Sequence, residues 1–341
     1  MPTDPVVIAG AGPTGIACAV ELSRRGVPAA CFDRRYLLAT IDAFPEQMRW
    51  FSTRDLLDIV GVPFPSVEAH PTRLESLAYY RGVAERFGVE VRAETEVLSV
   101  VPREGGVLVR VKDRQGEREQ PAPAAILATG FFHNPRRLGV PGEDLPHVQR
   151  RYRAGHPWHG RAVVVVGGKN SASEAALDLH RHGARVALVV RAPALSERVK
   201  YWIKPDLENR IREGAIRGLF STRVLEIVPD GVLVEGPEGR HLLAADAVFP
   251  LIGYEPDYPL FRRCGIALEA PMDVPAHDPE TLESNVPGLY LAGALLGGRE
   301  LGKIFIENTR HHAGRIAEAI ARRLSSLPAA AGGSTAGPSR P

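Results

Sequence analysis

The chain has 341 residues, 44% of them hydrophobic and 24% charged, and a formal net charge of +2. That length suits two ordinary domains of a folded globular protein. Near-balanced charge without a basic block points to neither nucleic acid nor an anionic membrane, and no apolar run approaches bilayer-spanning length.

The three cysteines, Cys18, Cys31 and Cys264, stand far apart. They make no C-x-x-C pair and no zinc knuckle. An odd count argues against a disulfide framework and for a reducing cytoplasm. The opening MPTDPVVIAG has no basic segment or cleavage site and enters a strand at once, so it does not read as a leader.

Taken in order, Pro5 to Ala9 forms a short apolar run fit for a buried parallel strand. The turn GAGPTG follows at Gly10 to Gly15. IACAVELSRRG then carries Ile16, Ala19, Val20 and Ser23 at helical spacing and stops at Gly26. VPAACFD, Val27 to Asp33, is a second strand. Further on, Ser52 or Thr53 starts a helix, and LESLAYYRGVAERFG is an amphipathic helix. VEVRAETEVLSVVPREGGVLVRVKD reads as strands with a hairpin at Glu104-Gly105-Gly106. AAILATG, Ala124 to Gly130, is another buried strand. A Pro- and Arg-rich connection spans about 134–160.

A second strand–turn–helix–strand unit then begins, VVVVGGKNSASEAALDLHRHGARVALVVR. DAVFPLIGYEP closes it. NVPGLYLAGALLGGRELGKIFIENTRHHAGRIAEAIARRL returns to a strand, a glycine loop and a last amphipathic helix. The end is low-complexity and expected to be disordered.

The first turn satisfies G-x-G-x-x-G, and its context strengthens that otherwise weak pattern. It follows a strand, opens a helix, and has Asp33 at about the expected distance of twenty residues. Gly10 makes the tight turn, Gly12 lets the backbone approach a pyrophosphate, and Gly15 lets helix and strand pack. Pro13 and Thr14 open the helix, whose N-terminus attracts an anion. Asp33, with Arg34 beside it, suits ribose hydroxyls. This turn alone does not separate FAD from NAD.

The second turn runs Gly167-Gly168-Lys169-Asn170-Ser171-Ala172. Lys169 replaces the middle glycine and offers a phosphate a cation instead of close backbone approach. Asn170 and Ser171 add polar groups, and Ala172 is an accepted third position. The second strand of this unit leads to Arg191 rather than to an acid. Arginine pairs with a 2′-phosphate that an acid would repel, and Arg198 and Lys200 lie just beyond. The unit therefore reads as an NADPH site, against the alternative that Arg191 is a solvated surface residue.

GAGPTG, ATG, GG-x-NSA-x-EAA and GLYLAG together resemble the low-molecular-weight thioredoxin reductase superfamily. More narrowly, FPEQMRWFSTRDLLDIVGVPF, GGKNSASEAALDL, KYWIKPDLENRI and LAGALLGGRELGKIFIEN are similar to the YpdA-type bacillithiol-disulfide reductase family. The likeness runs from Val6 to about Leu324. It implies an α/β fold of two Rossmann-like domains. One binds FAD (1–133 and 256–325), the other NADPH (134–255), and 326–341 is a disordered tail.

It further implies a cytoplasmic, homo-oligomeric enzyme that reduces bacillithiol disulfide, a small molecule. By the same resemblance, Met48, Phe51 and Ser52 border the isoalloxazine and Val97 meets the adenine. Thr129 and Gly130 lie by the pyrophosphate side, and Gly293 and Ala294 follow the last strand. Gly302, Lys303 and Ile304 open the last helix beside the flavin.

Three departures stand out. The NADPH unit has no dithiol. Ala294 stands where thioredoxin reductases have Asp. Thr14 stands where many YpdA-type members carry Cys; if that cysteine takes part in thiol exchange, this chain would have to reduce its acceptor directly from flavin, or reduce something else. Other readings are an electron transferase to a redox protein, like the ferredoxin–NADP reductases; a flavin monooxygenase, suggested by ATGFFHNP; and a non-enzymatic redox sensor. Arg49 and Arg54 are candidates for an anionic acceptor. No histidine shows metal-ligand spacing. Cys264, beside two arginines, is the cysteine worth testing.

Overall fold

The computed structural model describes residues 4–300 and 304–326. Two parallel sheets organise it. The first has five strands in the order Leu289–Leu291, Ala125–Leu127, Val6–Ala9, Ala29–Phe32 and Glu90–Arg92. The second has four, in the order Arg217–Leu219, Arg185–Val189, Ala162–Val166 and Ala247–Pro250. The central strands VVIA and AVVVV are apolar throughout because helices cover both faces of such sheets. Every residue from Val6 to Ala9 is buried, as is every residue from Val163 to Val166.

In each sheet the central strand leads through a glycine turn into a helix, Pro13–Ser23 in one and Asn170–Arg181 in the other. Each unit also carries a three-stranded antiparallel meander. The first comprises Glu96–Arg103, Gly106–Asp113 and Gly116–Ala122, and the second Arg223–Val228, Gly231–Gly236 and Gly239–Ala244. Both meanders have a bulge after the second residue of their first strand, at Val97/Ser99 and at Val224/Glu226. A bulge bends its strand and re-aims the neighbouring side chain. Its recurrence extends the internal repeat beyond the glycine turns.

The sheet of the first unit is completed late. Leu289–Leu291 pairs with Ala125–Leu127 across the whole intervening second unit. The chain leaves through a largely irregular connection and returns beside it, Pro135 bridging Tyr254. The amphipathic helix runs Arg73–Arg86 and is closed by a Thr72–Glu75 capping box.

Some elements differ from expectation. The helix after Thr53 is one turn, Arg54–Leu57, ended by the extended backbone of Asp58; Val60 and Gly61, both at positive φ, then turn the chain. The last long helix begins at His312, preceded by a single turn at Ile306–Thr309. Ile304 therefore precedes both and does not open the last helix, while Gly302 and Lys303 fall outside the described residues. That helix continues to Ser326, and the rest of the expected tail lies outside the described residues. Among the described residues no helix is long and apolar enough to cross a membrane.

Candidate functional site

The first glycine turn is built as its sequence requires. Gly10 has φ +111°, and a Cβ there would stand 2.5 Å from the Ala128 carbonyl oxygen. A Cβ on Gly15 would stand 2.0 Å from the Gly10 oxygen. Gly12 differs. Its φ of −85° suits any residue, and a Cβ would meet nothing within 4 Å. Among the described residues nothing demands glycine at 12, and the space before its Cα is open.

Beside the turn lies an open cleft of about 540 Å³. Gly10, Asp33, Arg34, Val97 and Thr129 line it, bringing together five residues picked from sequence. The two oxygens of Asp33 accept hydrogen bonds from Ala11 N (3.0 Å) and Arg35 N (2.9 Å). The carboxylate thus fixes the turn while its remaining lone pairs face the cleft's contents. Thr129 Oγ1 is buried with no hydrogen-bond partner. The hydroxyl is thus left free for a polar ligand or a water.

Thr14 lies against the end of the last strand. A Cβ on Gly293 would stand 2.9 Å from Thr14 Oγ1. The Gly293 N–H donates to His312 Nδ1 at 3.2 Å. Burial, reinforced by Arg315, His277 and His311, brings His312 down to about 4. It is therefore a neutral acceptor at neutral pH.

Sequence reasoning missed His133 and Asp257, which also line the cleft. Asp257 Oδ2 stands 3.9 Å from His133 Nε2. Burial would raise the Asp257 carboxyl, but the neighbouring His133 and the hydrogen bond from the Leu260 amide (2.9 Å) outweigh it and hold it low. The two come from opposite ends of the second unit, and no local motif marks either. Met48 and Phe51, three residues apart, face different cores. Met48 packs on the first unit and Phe51 on the second. Neither they nor Ser52, nor Gly130, nor Ala294 or Ile304, are among the residues lining the cleft.

The second turn repeats the backbone of the first. Lys169 caps its helix with φ −118° and ψ −174°, as Gly12 does with −85° and −177°. Lysine at the middle position thus costs no backbone strain, and its exposed side chain replaces the open space with a cation. Gly168 is required by Val190, whose Cγ1 would be 2.7 Å from a Cβ.

The Asn170 side chain clamps the following loop. Its Nδ2 donates to the Arg198 carbonyl (3.1 Å) and its Oδ1 accepts from Lys200 N (2.9 Å). Lys169, Arg191, Arg198 and Lys200 therefore surround one turn. Among the described residues none has a carboxylate within 4.0 Å. Neither helix has an acid in its first turn. The next carboxyl, Glu174, is pushed by burial up to about 7, which weakens its repulsion of phosphate. Ser171 is exposed, and Ala172 is buried against Gly167.

Lys200 reaches the first unit, with its Nζ 5.2 Å from the Phe51 ring centre and 5.8 Å from that of Trp202. Arg49 and Arg54 are engaged by backbone carbonyls, Arg49 at His70 (3.3 Å) and Arg54 at Ser66 and Val67. All three cysteines are free and buried. Burial raises Cys18 to about 12 and Cys264 to about 11, and drives Cys31 higher still. The arginine beside Cys264 does not offset its burial.

Residues 7–293 match the family model described as pyridine nucleotide-disulphide oxidoreductase. The chain belongs to that family. It is 35% identical over 318 residues to the bacilliredoxin reductase Bdr of Bacillus subtilis, covering 93% of this chain and 97% of that protein. The solved bacillithiol disulfide reductase Bdr (YpdA) of Bacillus cereus is 33% identical, with a TM-score of 0.90 over 94% of this chain and 99% of that one. The thioredoxin reductase of T. acidophilum shares the fold, at 21% identity and a TM-score of 0.72 over 94% and 98%. The chain is thus a flavoprotein oxidoreductase of thioredoxin reductase-like fold that uses a flavin and a nicotinamide nucleotide.

Proposed function

We propose that this protein is an FAD-dependent, NADPH-specific reductase of bacillithiol disulfide, acting in the cytoplasm by the net reaction NADPH + H⁺ + RSSR → NADP⁺ + 2 RSH. In this reading the FAD domain comprises 1–133 and 256–325 and the NADPH domain 134–255. When bound, the flavin supplies the two-electron chemistry that links nicotinamide to disulfide.

The chain's residues fit that assignment. Gly12 leaves room for a dinucleotide pyrophosphate, Asp33 faces ribose, and Thr129 offers its unpartnered hydroxyl. Lys169, Arg191, Arg198 and Lys200 form a cationic rim matched to a nucleotide with an additional phosphate. Near-full-length similarity to the bacillithiol disulfide reductase Bdr (YpdA) of Bacillus cereus supports the disulfide.

The observation that carries the mechanism is the state of the cysteines. A thiol relay needs an exposed thiolate, and Cys18, Cys31 and Cys264 are buried with raised pKa. Thr14 takes the remaining position beside the last-strand loop. Electrons therefore pass to the disulfide without a cysteine of this chain.

Anaerobic stopped-flow tests the reading. NADPH should bleach the bound flavin, and bacillithiol disulfide should restore its colour faster than ferredoxin or flavodoxin does. Replacing all three cysteines by serine or alanine should leave the reoxidation rate within about twofold, the span of ±0.5 kcal/mol. Loss of reoxidation in a folded, yellow variant would establish a thiol relay. Preference for the redox proteins would reassign the acceptor.

A further inference from the structure

A second, smaller recess, open to solvent, adjoins the first cleft. Its walls are aromatic. Phe44, Phe132 and Tyr254 stand in series, with ring centres 4.9 and 4.8 Å apart. Its polar lining consists of Arg35, Thr40 and Arg151. Arg35 and Thr40 also line the larger cleft, so the two spaces are contiguous.

Arg35 and Arg151 converge on this recess from different parts of the chain. Arg35 follows the second strand of the first sheet, whereas Arg151 belongs to the connection leading into the second. Each donates to one backbone carbonyl, Arg35 to Ala39 (3.0 Å) and Arg151 to His133 (3.0 Å). Among the described residues neither has a carboxylate within 4.0 Å. The contrast with Arg153, two residues on, is direct. Arg153 is exposed and paired with Glu46 at 3.2 Å.

Two guanidiniums sharing a partly enclosed, aromatic-walled space repel one another, and the repulsion grows as water is excluded. Burial, and then the charges of Arg35 and Arg34, pull the Arg151 guanidinium below its ordinary value. Among the described residues no carboxylate lies within 4.0 Å of either guanidinium, and the pair presents the planar donor forks that hold a phosphate in two-point contact, with Thr40 and Tyr254 beside them.

We infer that Arg35 and Arg151 form an anion site for a phosphate or pyrophosphate group at the crossing between the two units. The anion has two possible sources. One is the pyrophosphate of the dinucleotide in the adjoining cleft, an assignment that rests on the FAD reading above. The other is a free phosphate-bearing ligand that binds beside it.

The test uses full-length protein, with Arg151→Gln, Arg35→Gln and the charge-conserving Arg151→Lys. FAD affinity is titrated into deflavinated protein. The melting temperature of the flavin-loaded protein is measured with and without inorganic phosphate at constant ionic strength. If the dinucleotide is the source, Arg151→Gln raises the FAD dissociation constant about tenfold or more, the loss of one charge-assisted contact, and Arg151→Lys recovers part of it. If a free ligand is the source, FAD affinity is unchanged, and phosphate stabilises the wild type but neither glutamine variant.

The site is overturned if neither FAD affinity nor the phosphate response changes in either glutamine variant. Arg35→Gln keeps the test valid should Arg151→Gln fail to fold. A wild type that takes up no FAD would sink the functional reading, while the phosphate arm would still decide the anion site.

Discussion

Replacing Arg191 by alanine isolates the charge that assigns the nucleotide. The side chain is exposed and has no carboxylate within 4.0 Å among the described residues, so its loss should move folding stability by no more than about 0.5 kcal/mol. A charge-assisted hydrogen bond to a 2′-phosphate is worth about 1.5–3 kcal/mol, and solvent exposure places this one in the lower half of that range. At 1.4 kcal/mol per decade, a loss of about 1.5–2 kcal/mol raises the NADPH KM roughly 10- to 30-fold.

NADH lacks the 2′-phosphate, and its KM should change less than about twofold, within that same ±0.5 kcal/mol. Some NADPH preference should survive, because Asn170 still holds Arg198 and Lys200 at the turn. Steady-state KM and kcat for both nucleotides, with the flavin-bleaching half-reaction as a check on binding, decide the matter. An equal effect on NADPH and NADH, or none on either, would refute a 2′-phosphate role for Arg191.

Two further outcomes follow from the same geometry. Gly12→Val should fold, because its Cβ enters open space and φ is ordinary; losing glycine at a helix N-cap costs about 1 kcal/mol or less. It should nevertheless purify colourless, and a yellow Gly12→Val protein would show that no ligand approaches that turn. His312 bears on pH. Its folded value near 4 lies below the ordinary 6.5, so the unfolded chain takes up the proton first and stability declines as pH falls from about 6.5 to 4, by about 3 kcal/mol in all. His312→Asn retains an acceptor for the Gly293 N–H but cannot titrate. Its melting temperature should fall less steeply than wild type over that window, and parallel curves would remove His312 as the cause.

What was legible in the sequence was what local chemistry enforces. Gly10 and Gly15 are required by carbonyl oxygens that any Cβ would strike, so the first turn announces itself. The second was readable in spite of Lys169, since an extended N-cap accepts any side chain. The meander strand Gly116–Ala122 was missed because most of its side chains are at least partly solvent-facing and carry no apolar alternation. The second meander escaped for a similar reason, most of the outer strand Gly239–Ala244 being solvent-facing. His133, Asp257 and the Arg35–Arg151 pair were not legible at all. Their proximity depends on the connection and the return strand lying side by side, a long-range pairing that no local spacing encodes.

That same juncture also joins the two units. The units touch through contacts that are individually modest. Phe51 meets Trp202 edge-on at 6.0 Å, Lys200 stands over both rings, and Arg153 pairs with Glu46 at the surface. An aromatic pair adds about 0.5–1.5 kcal/mol, an exposed cation–π contact about 0.5–1, and a surface ion pair 0–1. These three together contribute a few kcal/mol, beside further links across the juncture such as the Glu46 N–H to the Arg153 carbonyl (2.9 Å) and the Phe132–Tyr254 ring contact (4.8 Å). The Asn170 side chain ties the segment that carries Lys200 and Trp202 to the turn at Lys169, so one residue of the second glycine turn holds in place the loop that meets Phe51.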